Sequence, residues 1–98
     1  MWKIKIHKYV LKKDFKKIDS YNQLKILRAI KKKLAKDPKN YGVPLRGKFK
    51  GYWKLRVEDF RVVYKIIESQ ILVLVIKVGI RKDAQVYREL FDRIKRIK

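Results

Sequence analysis

Tyr52-Trp53-Lys54-Leu55-Arg56-Val57-Glu58-Asp59-Phe60-Arg61-Val62-Val63-Tyr64-Lys65, then the apolar run Ile71–Val78, then Gly79-Ile80-Arg81-Lys82-Asp83-Ala84-Gln85-Val86-Tyr87, carries nearly all the β signal of the chain. Trp53, Leu55 and Val57 alternate with Lys54 and Arg56, and Phe60, Val62, Tyr64 and Ile66 alternate with Arg61, Val63, Lys65 and Ile67. A period of two is that of a strand with two unlike faces. The Glu58-Asp59 pair between the two runs is short enough for a hairpin turn. Glu68-Ser69-Gln70 makes a second turn, Ile71–Val78 is apolar on both faces as a central strand is, and Gly79 stops it. The alternation sets Lys54, Arg56, Arg61 and Lys65 on the sheet face opposite Trp53 and Phe60. With helices over the Trp53 face, the other face becomes a cationic concavity.

Upstream, Trp2-Lys3-Ile4-Lys5-Ile6-His7 alternates strictly, a half-buried strand with Trp2, Ile4 and Ile6 inward and His7 on the solvated side or near a helix end. Leu11, Phe15 and Ile18 then follow helical spacing, and so do Leu24, Leu27, Ile30 and Leu34. Ser20 or Asn22 can cap the second helix, and Asp37-Pro38 ends it because proline disfavours helical geometry in the residue before it. Two helices with a short break form an αα-hairpin that covers one sheet face. The outer face of the second, with Lys25, Arg28, Lys32, Lys33 and Lys36, reads as solvated or as a diffuse phosphate-steering surface. Asn40 to Gly51 is loop-rich and interleaves Arg46, Lys48 and Lys50 with Leu45 and Phe49. Downstream, Val86, Leu90, Ile94 and Ile97 mark a C-terminal helix from Ala84. The expected fold is α+β: an N-terminal strand, an αα-hairpin packed on a mainly antiparallel sheet of about four strands, and a C-terminal helix, in a single domain spanning residues 1–98.

The composition narrows the function classes. Twenty-nine basic against nine acidic residues give a net charge of +20, and a chain so charged seeks a polyanion, nucleic acid first. No cysteine is present, which excludes disulfides, a thiol nucleophile and a thiolate metal site. A single histidine, His7, excludes a His-pair acid–base mechanism and a His-rich metal site within one chain. The N-terminus has no signal-type apolar run, and Ile71–Val78 is far shorter than the roughly 20 residues a spanning helix needs. A cytoplasmic protein with no membrane association is expected.

Among these residues RNA cleavage has identifiable parts. The 2′-hydroxyl must lose a proton, the phosphorane needs cations, and the leaving 5′-oxygen needs a proton. Arginines bind phosphate in a bidentate manner, and tyrosine or lysine can transfer a proton when a neighbouring cation lowers its pKa. Tyr87 beside Arg81, and Lys54 near Arg61, are the candidates. The carboxylates show no metal-ligand spacing: Glu58 and Asp59 are adjacent in a turn, and Glu68, Asp83, Glu89 and Asp92 are scattered.

The series Leu45-Arg46-Gly47, Lys54-Leu55-Arg56, Phe60-Arg61-Val62-Val63-Tyr64, Val75-Ile76-Lys77-Val78-Gly79-Ile80-Arg81 and Val86-Tyr87 resembles the RelE toxins of the RelE/ParE superfamily. The resemblance covers nearly the whole chain. It implies a type II toxin with no cofactor and no metal that cleaves mRNA in the ribosomal A site by 2′-hydroxyl attack and so inhibits translation. It also implies an acidic RelB-type antitoxin. The protein alone is expected to be monomeric and the toxin–antitoxin complex larger, with the antitoxin displacing the helix Ala84–Ile97. Carried over, Arg61 looks like the phosphate-binding arginine, Arg81 like the one that stabilises the transition state, Tyr87 like the tyrosine that stacks on the RNA, and Lys54 like the base or charge stabiliser. RNA contacts are expected from Arg46, Lys48, Lys50, Tyr52, Arg56 and Lys65. Tyr52 stands where some RelE toxins carry a second lysine, for which Lys48 or Lys50 could compensate. The rival readings are a ParE-like gyrase inhibitor, a branch that generally lacks residues of the Arg81 and Tyr87 kind, and a non-catalytic basic nucleic-acid-binding protein.

Overall fold

The computed structural model describes residues 1–82 and 85–97, and in it the alternating stretch folds as a meander. β3 (Tyr52–Val57) and β4 (Phe60–Ile67) pair antiparallel, and β4 pairs antiparallel with β5 (Leu72–Ile80). β1 (Lys3–Ile6) runs parallel to β5, and the short β2 (Val43–Pro44) pairs antiparallel with β3, giving the order β1-β5-β4-β3-β2. The sheet has five strands rather than about four, because the loop-rich segment hides a two-residue strand too short to show a period. Glu58 takes φ 52°, the positive value that a two-residue hairpin demands. β5 does not stop at Gly79 but runs on to Ile80.

The helical segments keep most of the expected inward residues, with local shifts of phase and one added short helix. A wide π-type turn, Val10–Asp14, leads into a 3₁₀ turn, Phe15–Lys17. Widening the turn shifts the inward face, so Val10 and Asp14 are buried with Phe15 and Ile18 while Leu11 is exposed. In α1 (Ser20–Ala29) Leu27 packs on the core as expected, but Ile26 is buried and Leu24 exposed, and the helix continues through a second wide turn, Ile30–Leu34, whose Ile30 and Leu34 are buried as expected. The cap of α1 is neither Ser20 nor Asn22: the Asp19 carboxylate accepts the backbone N–H of Asn22 at 3.1 Å. Asp37-Pro38 ends one helix and starts another, α2 (Pro38–Tyr41), with proline in its first turn and Asp37 accepting from the N–H of Asn40. The expected start of the last helix, Ala84, lies outside the described residues; α3 is described over Gln85–Ile97.

The first helices cover the Trp53 and Phe60 face as expected, burying Ile26, Ile30 and Leu34 against Leu55, Val62, Tyr64, Val73 and Val75. Each such aliphatic side chain contributes about 1.5–3 kcal/mol on burial. The opposite face is not a continuous cationic concavity. Leu90 and Ile94 of α3 bury Phe49, Tyr52, Val63 and Ile76 there. Apart from Lys65 and the buried Lys77, the strand cations of that face lie toward the end of the sheet near the Glu58-Asp59 turn. Lys65, paired with Tyr52, lies four residues along β4 from Arg61, roughly 13 Å away at the rise of a strand.

A buried polar network fixes α3. β5 carries one extra residue at Ile76, since Val63 faces Lys77 while Tyr64 faces Val75. This bulge resets the alternation, so Val75 and Val78 both reach the first core while Ile76 reaches the second. β1 has already ended, its Ile6 opposite Val75. The backbone groups of β5 beyond that point are satisfied by side chains instead: Val78 N–H donates to Asp14 Oδ2 (2.9 Å) and Ile76 C=O accepts from Arg93 Nη1 (2.9 Å). Arg93 also donates to both oxygens of Asp14 (2.7 and 2.9 Å), and Lys77 donates to Asp14 (3.0 Å) and Glu89 (2.8 Å). The lysine's hydrogen bond holds the Glu89 carboxyl below the usual glutamate range.

Candidate active site

β3 and β4 place Arg56 directly opposite Arg61, a like-charged cross-strand pair that costs stability unless an anion lies between the two. Lys54 sits one pleat along on the same face of β3. Arg81 follows the end of β5, and its N–H donates to Asp59 C=O at 2.7 Å, which ties it to the β3–β4 turn. Its Nε is buried and has no hydrogen-bond acceptor among the described residues. A buried guanidinium nitrogen without an acceptor is costly. Lys54, Arg56, Arg61 and Arg81 line one cavity of about 370 Å³, joined by Lys33, and no carboxylate lines it among the described residues.

Tyr87 stands beside this cavity on the first turns of α3. Its hydroxyl accepts from Arg61 Nη1 at 2.5 Å, the guanidinium carbon lies 5.0 Å from the ring centroid, and the ring of Phe49 is 5.6 Å away. Arg61 thus holds the tyrosine hydroxyl, a contact that the sequence reading, which set Tyr87 beside Arg81, did not name. Gly79 makes the approach of α3 possible: a Cβ there would stand 2.7 Å from Val86 Cγ2. Arg61, Tyr87 and the buried network on α3 thus form one connected support, with Asp14 and Arg93 holding the helix that presents the tyrosine.

The remaining expected contacts divide. Arg56 belongs to the cavity. Arg46, Lys48 and Lys50 are exposed around the 3₁₀ turn Gly47–Phe49, with Lys48 Nζ over the Phe91 ring at 4.5 Å. Lys65 is exposed near the far end of β4. Tyr52 does not serve as a surface contact: it is 8% exposed inside the second core, and burial pushes its hydroxyl pKa up. His7 lies at the start of the first helical segment, where Nδ1 accepts the N–H of Tyr9 at 3.1 Å. Burial and then Arg93 hold its pKa below the ordinary histidine value. Asp14, Lys77, Glu89 and Arg93 were not singled out from sequence. Asp14 fell among lysines in a helical run, and only Lys77, a charge inside an otherwise apolar strand, signalled that something must pair with it.

Among the described residues no three His, Asp or Glu side chains gather as metal ligands, and no helix is long and apolar enough to cross a membrane. Among the described residues the site gathers cations with no carboxylate in its lining, an arrangement suited to phosphate.

Known proteins share both scaffold and sequence. Residues 4–85 match the family described as ParE toxin of type II toxin–antitoxin system. A putative RelE-like toxin protein of Escherichia coli is 32% identical over 84 residues, covering 85% of this chain and 87% of that protein. The mRNA interferase toxin RelE of E. coli K12 is 44% identical over 41 residues, which span 42% of this chain and 43% of that protein. Among solved structures, a mutant E. coli RelE in the free state superimposes with TM-score 0.72 at 25% identity, over 99% of this chain and 98% of that one. The Mycobacterium tuberculosis RelBE2 toxin–antitoxin complex gives 0.77 at 20% identity, over 82% and 98%. The chain belongs to the ParE toxin family of type II toxin–antitoxin systems, as a RelE-like toxin of the RelE/ParE superfamily.

Proposed function

We propose that this toxin is a ribosome-dependent endoribonuclease that cuts mRNA in the A site without a metal and thereby stops translation in the cytoplasm. The observation that carries the reading is the convergence of Lys54, Arg56, Arg61 and Arg81 on one cavity whose lining, among the described residues, holds no carboxylate and where the buried Arg81 Nε has no acceptor among those residues. The mRNA 2′-oxygen attacks phosphorus, the P–O5′ bond breaks, and the products are a 2′,3′-cyclic phosphate and a 5′-hydroxyl. Arg61 and Arg81 stabilise the negative charge that builds on the phosphoryl oxygens. Lys54 serves as the proton acceptor or as a charge stabiliser, and Tyr87, held by Arg61, orients the RNA and stands within reach of proton transfer. Arginine is not assigned as a literal acid, since its pKa exceeds about 12. The ribosome holds the mRNA and supplies part of the entropy that a small open site does not. Arg46, Lys48, Lys50 and Lys65 contribute diffuse backbone attraction.

Several relatives with this fold are solved as complexes with RelB-type antitoxins. An acidic antitoxin of that kind is the partner proposed here, bound to a toxin that is monomeric alone and part of a larger assembly with its partner. Displacement of α3 by that partner would uncover Asp14 and Lys77 along with the second core.

Primer extension on translating ribosomes tests the reading. Cuts within A-site codons are expected from the wild type, with a loss of at least about a hundredfold in Arg81→Ala, the scale on which one transition-state donor acts, and a smaller loss in Tyr87→Phe. Gyrase inhibition without cleavage would overturn it in favour of the ParE-type activity. Full cleavage by Arg81→Ala would overturn the site assignment.

A further inference from the structure

The same cavity is also lined by Tyr41 and Val43, with Lys33, and Val43 stands across the strand pair from Lys54. Tyr41 is 44% exposed and Val43 55% exposed, so neither is a core residue. We propose that Tyr41 is a nucleobase-stacking platform and Lys33 its phosphate contact, together forming a subsite for one nucleotide of single-stranded RNA next to the bond that is cut. The inference rests on the RNA-cleaving reading of this site and names a specificity-determining residue for it.

The position of Tyr41 is built rather than incidental. It is the last residue of α2, a single turn held at every point. Asp37 accepts from the N–H and from Nδ2 of Asn40 at its start (3.2 and 2.6 Å). The buried Tyr64 hydroxyl donates to Pro38 C=O at 2.6 Å. Gly42 follows directly, and a Cβ there would fall 1.7 Å from Tyr64 Oη, so only glycine lets the turn sit this close to the sheet. Val43 then pairs with Lys54 on β3. An aromatic ring on so firmly tied a turn loses little freedom on binding, which favours it as a recognition surface.

Tyr87 leaves this task open. Its ring is already flanked by the Arg61 guanidinium and by Phe49, whereas Tyr41 is the more exposed of the two. A volume of about 370 Å³ is on the scale of one nucleotide. A purely apolar protein segment would leave five cations facing it without counter-charge, whereas a nucleotide answers the whole lining, its base on the tyrosine and its phosphates on the cations.

The test is a fluorescence-anisotropy titration with a 2′-O-methyl RNA hexamer, which cannot be cut through its own 2′-oxygen, beside the same hexamer with abasic residues. Ribosome cleavage by the same preparations is measured in parallel. Tyr41→Ala is expected to weaken hexamer binding about 5- to 100-fold, the range of one base–aromatic stack, and to leave abasic binding unchanged, while Tyr41→Phe binds as wild type. Lys33→Gln is expected to weaken both hexamers alike and to lower the salt slope by about one. Hexamer binding by Tyr41→Ala within twofold of wild type, with cleavage intact in the wild type, overturns the proposal and spares the catalytic reading. Tyr41-dependent binding with no ribosome cleavage upholds the subsite and overturns the catalytic reading. Failure of the wild type to bind the hexamer, or loss in Tyr41→Ala of antitoxin binding alone, overturns the subsite.

Discussion

Asp14→Ala tests the reasoning about the support of the site most directly. Asp14 is 4% exposed and accepts four hydrogen bonds, two from Arg93, one from Lys77 and one from Val78 N–H. Two anions and two cations make up the network, Asp14 and Glu89 against Lys77 and Arg93. Removing Asp14 leaves Arg93 with Ile76 C=O and Lys77 with Glu89, hence one uncompensated buried charge and an unpaired strand N–H. Breaking a buried pair from one side costs about 3–5 kcal/mol, a large part of the ~5–15 kcal/mol that holds a domain together. At about 4–8 °C per kcal/mol the melting temperature should fall on the order of 20 °C. Urea denaturation followed by tryptophan fluorescence gives the midpoint directly, and an unchanged slope keeps the comparison two-state. In the double variant Asp14→Ala/Arg93→Met the loss should be less than the sum of the single losses, because the stranded cation is gone. A loss below about 1 kcal/mol in Asp14→Ala, the scale of an exposed ion pair, would refute the claim that this network carries α3.

Two further outcomes follow from the same support. Gly79→Ala should destabilise the protein and reduce cleavage, since the new methyl displaces Val86 and with it the first turn of α3; Gly79→Ala/Val86→Ala should recover most of both, and failure to recover in thermal melts and cleavage assays would show that the strain lies elsewhere. Glu89 has its pKa depressed chiefly by the hydrogen bond from Lys77, so its contribution is present above the ordinary glutamate value of 4.5 and is lost as pH falls through the lower folded value. Glu89→Gln should therefore be less stable than wild type at pH 7 and converge with it in urea titrations as the pH falls below the folded value; a gap that stays the same as the pH falls would sink the assignment.

Local chemistry was enough for the meander. Alternation along Trp53–Val57 and Phe60–Ile67 reports which face is apolar, a property each strand carries by itself, and the excess of lysine and arginine is a ground for proposing a polyanionic partner whatever the fold. The cations Lys54, Arg56, Arg61 and Arg81 were legible because strand period and turn position fix them on one side near one end. What the sequence could not decide depends on groups far apart along the chain. Whether Leu11 or Val10 points inward turned on a wide turn that draws Asp14 into the core, and Asp14 is drawn there by Arg93, Lys77 and the end of a neighbouring strand. Tyr52 alternates onto the cationic face, yet it is buried because α3 lies over that part of the sheet. Tyr87 meets Arg61 because α3 crosses the sheet where Gly79 admits it. Tyr41 joins the cavity only because Gly42 and Tyr64 pin its turn to the sheet. Periodicity records the preference of a residue for a face, but which face stays open is settled by the last element to pack upon it.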